Sequence, residues 1–188
     1  MKIVAIVGSP RPEGNTSYLV DEALDEARKQ GIATEKVILV ERQIGWCLGH
    51  LDCGTQTACL HDRDDAAEII EKLFSADGVI LSSAVQMGNV TGIMKNFMDR
   101  TRFKRRQKIQ MPARSIGLIA VASSSGIDDT LAVLERYVGR QSPIPPEKIH
   151  KVGGKANKPG EAKANPELTK QARDLGKKMA EEIKKPAG

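Results

Sequence analysis

The chain has 188 residues, 28% charged and 40% hydrophobic, an ordinary globular mix long enough to bury a substantial core without disulfide staples. No apolar run is long enough to span a membrane, and the sequence opens on a strand pattern with no signal peptide, so a cytoplasmic protein without a membrane partner is expected. Net charge is +5, but only 3% of residues are aromatic and no nucleic-acid recognition motif is present; a solvated basic surface is the reading, with no nucleic-acid partner.

Residues 3–7, Ile-Val-Ala-Ile-Val, make a run suited to a buried strand. Residues 7–17 follow as Val-Gly-Ser-Pro-Arg-Pro-Glu-Gly-Asn-Thr-Ser, after which Leu19, Val20, Ala23, Leu24 and Ala27 recur at helical spacing. A strand that turns into a helix start is an anion site, because the first helical N–H groups lack partners and the helix dipole is positive there. Ser9, Asn15, Thr16 and Ser17 add neutral donors, and Arg11 adds a planar cation suited to phosphate. Gly8 and Gly14 let the backbone curl closely, while Pro10 and Pro12 limit the loop's freedom. The pattern lacks both Gly-Lys-Ser/Thr and Gly-x-Gly-x-x-Gly, so neither common nucleotide loop applies; a terminal phosphate monoester fits better.

The first helix is expected to run to about Gln30, with Gly31 as its C-terminal cap. Residues 36–40 read as a second, buried parallel strand. No period survives over residues 41–63, a long insertion for a compact domain and therefore a functional loop. It holds all three cysteines within 13 residues, an odd and clustered set that points to metal or redox chemistry rather than a disulfide framework. Asp62, Arg63, Asp64 and Asp65 read as a helix-start charge cluster. Ile69/Leu73 and Ile70/Phe74 give the next helix its buried face.

Residues 77–83 read as the third strand and residues 84–89 as the loop after it. Val90, Ile93, Met94, Phe97 and Met98 form one stripe of a third helix, with Asp99 and Arg100 pairing at its end or at a subunit contact. Six cations between Arg100 and Lys108 belong to the basic surface. The fourth strand covers residues 115–122 and ends in Ser123-Ser124-Ser125-Gly126, followed by a helix marked by Leu131, Leu134 and Val138. Residues 148–152 make a short fifth strand, with His150 structural, and residues 153–164 a loop. Asn165-Pro166 opens the closing helix, whose core face carries Leu168, Ala172, Leu175, Met179 and Ile183 and which frays at Pro186.

Alternating strands and helices predict one α/β domain spanning residues 1–188: a three-layer sandwich whose five-stranded parallel sheet runs 2-1-3-4-5 with helices on both faces. That is the flavodoxin-like order, and it places the ligand beyond the carboxyl ends of the strands. The loops 8–16, 84–89 and 123–126 leave the sheet together there.

The motif Gly8-Ser9-Pro10-Arg11-x-x-Gly14-Asn15-Thr16 resembles the phosphate loop of the NADPH-dependent FMN reductase family. Ala76-Asp77-Gly78-Val79-Ile80, Val90-x-Gly92-x-Met94-Lys95-Asn96-Phe97-Met98-Asp99-Arg100 and Lys158-Pro159-Gly160-Glu161 are similar to that family too, in matching order along nearly the whole chain. The resemblance implies an FMN-dependent oxidoreductase. It places the phosphate on Ser9, Arg11, Asn15, Thr16 and Ser17, and the ring against Ala84, Val85, Gln86, Met87, Gly88 and Asn89. Ser123, Ser124 and Gly126 supply a third wall. Gln86 stands where the family often has tyrosine. The resemblance further implies a homodimer or homotetramer, and NAD(P)H or a ferredoxin-like protein as electron donor.

Within that family the cysteine loop resembles the iron–sulfur flavoproteins, whose four cysteines, spaced two, two and about four to seven residues apart, bind a [4Fe–4S] cluster near the FMN. Here the run is Cys47-x-x-His50-x-x-Cys53-x5-Cys59, with His50 in the second position. Three readings compete: a [4Fe–4S] cluster on the three cysteines with His50 or an outside group on the fourth iron, a Cys3His zinc site, or a loop of ordinary thiols. His61 lies outside the pattern, and Trp46 either shields a metal or anchors the loop. No acid/base pair or nucleophile stands out, and flavin chemistry needs none. The functional expectation is therefore an electron-transfer flavoprotein or oxidoreductase of the iron–sulfur flavoprotein type. The alternatives are a cluster-free NAD(P)H-dependent FMN or quinone reductase and a zinc-holding, non-enzymatic binding module.

Overall fold

The computed structural model describes residues 1–56, 59 and 63–185; the expectations for His61, Asp62 and Pro186 lie outside them. Strand β1 (Lys2–Gly8) is buried on both faces from Ile3 onward, as its unbroken apolar run requires. It turns through the phosphate-loop motif into α1 (Asn15–Lys29), whose core face carries Leu19, Val20, Ala23, Leu24 and Ala27. Gly31 at φ +78° ends that helix: its N–H donates to Arg28 O and that of Ile32 to Ala27 O, the paired bonds of a Schellman cap.

Strand β2 (Ala33–Ile38) corrects the sequence expectation for residues 36–40. It starts three residues earlier, gives way to a 3-10 turn at Leu39–Glu41, and is a half-exposed edge strand. Its charged residues find partners there: Glu35 pairs with Lys2 and Lys72, and Lys36 with Asp21. Helix α2 (Ala66–Phe74) follows the cysteine loop and buries Ile69, Ile70, Leu73 and Phe74.

Strand β3 (Gly78–Gln86) is longer than expected and absorbs half of the predicted 84–89 loop. Met87 and Gly88, at φ +50° and +70°, turn it back into β4 (Asn89–Val90), a two-residue hairpin of the primed type. Helix α3 (Gly92–Arg100) is capped by Thr91, whose side chain accepts from Met94 N. A short helix that sequence reading missed, α4 (Arg102–Arg106), comes next. Strand β5 (Ser115–Ala122) is wholly buried, and α5 (Ile127–Gln141), β6 (Ile149–Lys155) and α6 (Pro166–Lys184) complete the chain. Asn165 caps α6 and Pro166 occupies its first turn, as predicted.

The sheet path is β2-β1-β3-β5-β6, all parallel, with β4 antiparallel on β3. Counting parallel strands alone, this is the predicted 2-1-3-4-5. Helices α1 and α6 cover one face of the sheet, burying Ile3, Ala5, Ile80 and Ile119. Helices α2, α3 and α5 cover the other, over Val4, Ile6, Val79, Leu81 and Leu118.

The basic stretch from Arg100 to Lys108 is not uniformly a solvated face. Arg100 is 2% exposed and paired with Asp64. Lys104 is also buried, paired with Glu71 at 2.5 Å and lying over the Phe74 and Phe103 rings. Asp99 pairs with Lys95 one turn earlier, not with Arg100.

Candidate functional site

A cleft of about 140 Å³ opens at the carboxyl ends of β1, β3 and β5, where the topology predicts it. Its floor is the phosphate-loop motif, with Ser9, Pro10, Arg11, Gly14, Asn15 and Thr16 on the surface. Gly14 is the N-cap of α1 and supplies no side-chain cap, so the start of the helix is open to a bound anion. The loop is tied internally. Ser9 Oγ accepts from Arg11 N and donates to Arg11 O, both at 3.2 Å, and Gly14 N donates to Arg11 O.

Thr91 pins the base of this loop, donating to Gly8 O at 2.7 Å while it caps α3. A Cβ on Gly8 would stand 2.6 Å from Met94 Cβ, so only glycine lets α3 pack this closely on the loop. These two contacts join the first βα loop to the second.

Arg11, Asn15 and Ser17 also make bonds that their sequence roles do not include. Arg11 donates to Asn157 O at 2.8 Å. Asn15 donates to Lys158 O at 2.9 Å and accepts from Ala162 N at 3.1 Å, so its side chain fastens the loop after β6. Ser17 accepts from Lys36 Nζ at 3.1 Å and does not line the cleft.

The upper walls come from Ala84, Val85 and Gln86, from Val121 and Ser123, and from Ala156 and Asn157. Sequence reading did not single out Val121, Ala156 or Asn157; the last two lie in a Gly/Lys/Pro-rich stretch that reads as plain loop. Met87, Gly88 and Asn89 form the hairpin tip beyond the cleft, with Met87 fully exposed. Ser124 and Gly126 also stand back from the lining, but Gly126 holds the third loop against the hairpin. At φ +84°, a Cβ there would meet Gly88 Cα at 2.8 Å.

The cysteine loop makes a second site. Cys47, His50, Cys53 and Cys59 line one depression, closed by Leu48, Asp99, Arg100, Arg102 and Phe103. All three thiols are free and half-buried. Cys53 Sγ donates to His50 O at 3.2 Å, and Arg100 Nη2 lies 3.8 Å from Cys59 Sγ. Among the described residues no group of three His, Cys, Asp or Glu side chains is arranged to hold a single metal ion. The donor set nevertheless suits a soft centre, three sulfurs and an imidazole, with the buried Arg100 beside Cys59.

The loop's entry is fixed by charge. Arg100 Nη1 donates to Gly45 O at 2.9 Å, Asn96 to Ile44 O at 2.9 Å, and Asp64 accepts from Gly45 N at 2.7 Å. Burial pushes the Asp64 carboxyl up, but hydrogen bonds from Arg100, Gly45 and Ala66 outweigh it and hold the group below its ordinary range. Trp46 is 71% exposed, which makes it neither a shield nor an anchor. Helix α3 connects the two sites, with its Thr91 cap at the phosphate loop and its Asp99-Arg100 end at the cysteines. Nine residues span about 13 Å.

The sequence profile of the NADPH-dependent FMN reductase family matches residues 1–142. An iron-sulfur flavoprotein of Methanocaldococcus jannaschii is 36% identical over 98% of this chain and 98% of its own length. Among solved structures, an NADH:FMN oxidoreductase superposes with a TM-score of 0.70 at 16% identity, covering 98% of this chain and 91% of the other. A flavodoxin from the domain Archaea gives a TM-score of 0.64 at 12% identity, covering 98% and 100%.

Proposed function

The chain belongs to the NADPH-dependent FMN reductase family and is an FMN-dependent oxidoreductase, and from that premise we propose that it takes in electrons through its cysteine loop and passes them to flavin at the sheet edge. The observation that carries the reading is the joining of the two sites by α3, with an anion cradle at one end and three thiols and an imidazole at the other.

In this reading the FMN phosphate sits at the open start of α1 with Ser9, Arg11 and Thr16. Asn15 and Ser17 contribute backbone N–H groups, since their side chains are engaged elsewhere. Ala84, Val85 and Gln86 face the ring, the 87–89 turn edges it, and Ser123 to Gly126 close the third side. FMN accepts one or two electrons; the protein supplies position, charge and exclusion of water. Cys47, Cys53 and Cys59 would hold a [4Fe–4S] cluster with His50 or an outside group on the fourth iron, and Arg100 would offset its negative charge. A ferredoxin-like protein would deliver electrons at the cysteine loop, whereas NAD(P)H would deliver a hydride to the flavin directly.

An absorption spectrum with iron and acid-labile sulfide analysis after anaerobic purification tests the reading. Iron and sulfide are expected together with FMN. FMN without either leaves the cluster-free reductase, whereas stoichiometric zinc without FMN supports the binding module.

Two substitutions separate the sites. Arg11→Ala should weaken FMN binding by about tenfold, the scale of one charge-assisted hydrogen bond; an unchanged dissociation constant would count against this placement of the phosphate. Cys53→Ala should remove iron and leave FMN bound. Loss of both together would mean that the loop shapes the flavin pocket.

A further inference from the structure

We propose that residues 156–165, joining β6 to α6, form a latch that the Asn15 side chain holds against the phosphate loop, and that this latch admits a phosphate monoester while refusing a diphosphate. The inference rests on the placement of the flavin phosphate at the start of α1.

The segment is bonded from end to end. Ala156 N donates to Ala122 O, the last residue of β5, at 2.9 Å, which fixes where the segment leaves the sheet. Asn157 N donates to the Glu161 carboxylate at 2.6 Å, and Glu161 N donates to Lys158 O at 3.2 Å. Gly160, at φ +86°, makes the turn between them. Thr169 of α6 donates to Ala162 O at 3.1 Å and fastens the far end.

Asn15 ties this unit to α1. It is 8% exposed and uses both ends of its amide: Nδ2 donates to Lys158 O at 2.9 Å, and Oδ1 accepts from Ala162 N at 3.1 Å. A carboxylate would bring no donor to Lys158 O, so the pairing calls for an amide. Arg11 adds a third tie, donating to Asn157 O at 2.8 Å and so joining the floor of the cleft to the wall where Ala156 and Asn157 stand.

These ties bear on which flavin fits. A monoester ends in three unesterified oxygens, which the start of α1 with Ser9 and Thr16 can satisfy inside the cleft. FAD spends one of those oxygens on a bridge and must carry a second phosphate and a nucleoside away from the cradle. The base of the cradle is packed under α3 through Gly8 and Thr91, and Ala84, Val85 and Gln86 face the ring. The side left for a second phosphate is the one that Arg11 and Asn157 span. Selectivity then comes from an obstacle to the larger ligand and not from tighter contacts to the smaller one. Asn15 and Glu161 are positioning residues in this scheme.

The test reads exchange at the FMN-loaded holoprotein, incubated with FAD or with riboflavin, the released FMN being measured after gel filtration. Wild type should retain FMN against about a hundredfold excess of either competitor. Asn15→Ala and Glu161→Ala should each improve competition by FAD by about tenfold while riboflavin still competes poorly. Glu161→Gln, whose amide oxygen still accepts from Asn157 N, should restore the wild-type preference. Glu161 is exposed, so its two variants carry the test should Asn15→Ala fail to fold.

A preference for FMN over FAD that neither alanine variant changes overturns the latch alone, and is what a merely structural role would give. So does a wild type that takes FAD as readily as FMN, or a Glu161→Gln variant as permissive as alanine. Riboflavin that displaces FMN from wild type as readily as added FMN does overturns the phosphate placement, and this inference with it.

Discussion

Arg100 carries a full charge with 1% of its side chain exposed, opposite an Asp64 that is 7% exposed. Such a pair contributes little net stability when intact, because both charges have left water, but removing one partner takes charge-assisted hydrogen bonds from the other while it stays buried. Asp64→Ala should therefore cost about 1.5–3 kcal/mol, the scale of hydrogen bonds to a charged group, and Asp64→Asn less, because the amide oxygen still accepts from the guanidinium. Urea unfolding measures both; a cost for alanine below that for asparagine would show that the carboxylate does not compensate Arg100. Asp64 also receives the N–H of Gly45, so the alanine variant should loosen the cysteine loop along with the core. At this scale the sequence was only half legible. Asp64 reads correctly as a helix-start acid, its Oδ1 accepting from Ala66 N, but Arg100 lies 36 residues away inside a run of cations. No local pattern marks which member of that run is buried. Asn15 and Ser17 hide a second role in the same way: small polar residues at a helix start suit an anion, and here their side chains also brace neighbouring segments.

Among the elements, α1 and α6 make the closest helix contact. A Cβ on Gly176 of α6 would stand 1.9 Å from Ala23 O of α1, a collision with backbone that no rotamer relieves. Gly176→Ala must push the helices apart and should destabilise by about 1–3 kcal/mol or more, the range for overpacking, although alanine is the better helix former by about 1 kcal/mol. A variant with an unchanged or higher urea midpoint would mean that the helices separate freely. Long elements with a clear period were legible at this scale: α1, α5, α6, β1 and β5 fall within a few residues of expectation. The β3–β4 hairpin was not. Its turn is Met87-Gly88, without the Asn-Gly or Asp-Gly pair that announces a primed turn, and a methionine at φ +50° is chosen against its own preference. The 84–89 segment consequently reads as loop. Helix α4, only five residues long, is too short for any period to appear.

Across the whole molecule, both candidate sites depend on one end of the sheet or the helix face beside it, and the other end is held by a polar clip. There Glu182 of α6, 8% exposed, accepts from Ser115 of β5 at 2.7 Å and bonds His150 of β6 at 2.8 Å, with Lys148 3.5 Å away. The clip fastens the closing helix to two strands, which no chain-order reading reveals because its members are 32 and 67 residues apart; His150 was legible as structural, though not its partner. Burial pushes the Glu182 carboxyl up, but the bonds from His150 and Ser115 outweigh it and hold the group below its ordinary 4.5. A carboxylate depressed by folding stabilises fully above its unfolded value, and that contribution is lost as pH falls through the lower folded value. Glu182→Gln should therefore cost about 1–3 kcal/mol near neutral pH, the scale of hydrogen bonds to a charged group, and the gap between variant and wild type should close on acidification below about pH 4.5. Urea midpoints of the two proteins from about pH 7 to about pH 3 follow the gap directly. A gap that stays constant to the acid limit would assign the clip to packing rather than charge. One that closes makes the clip one of the acid-sensitive points of the fold, at the sheet end remote from both sites, alongside Asp64 at the cysteine loop.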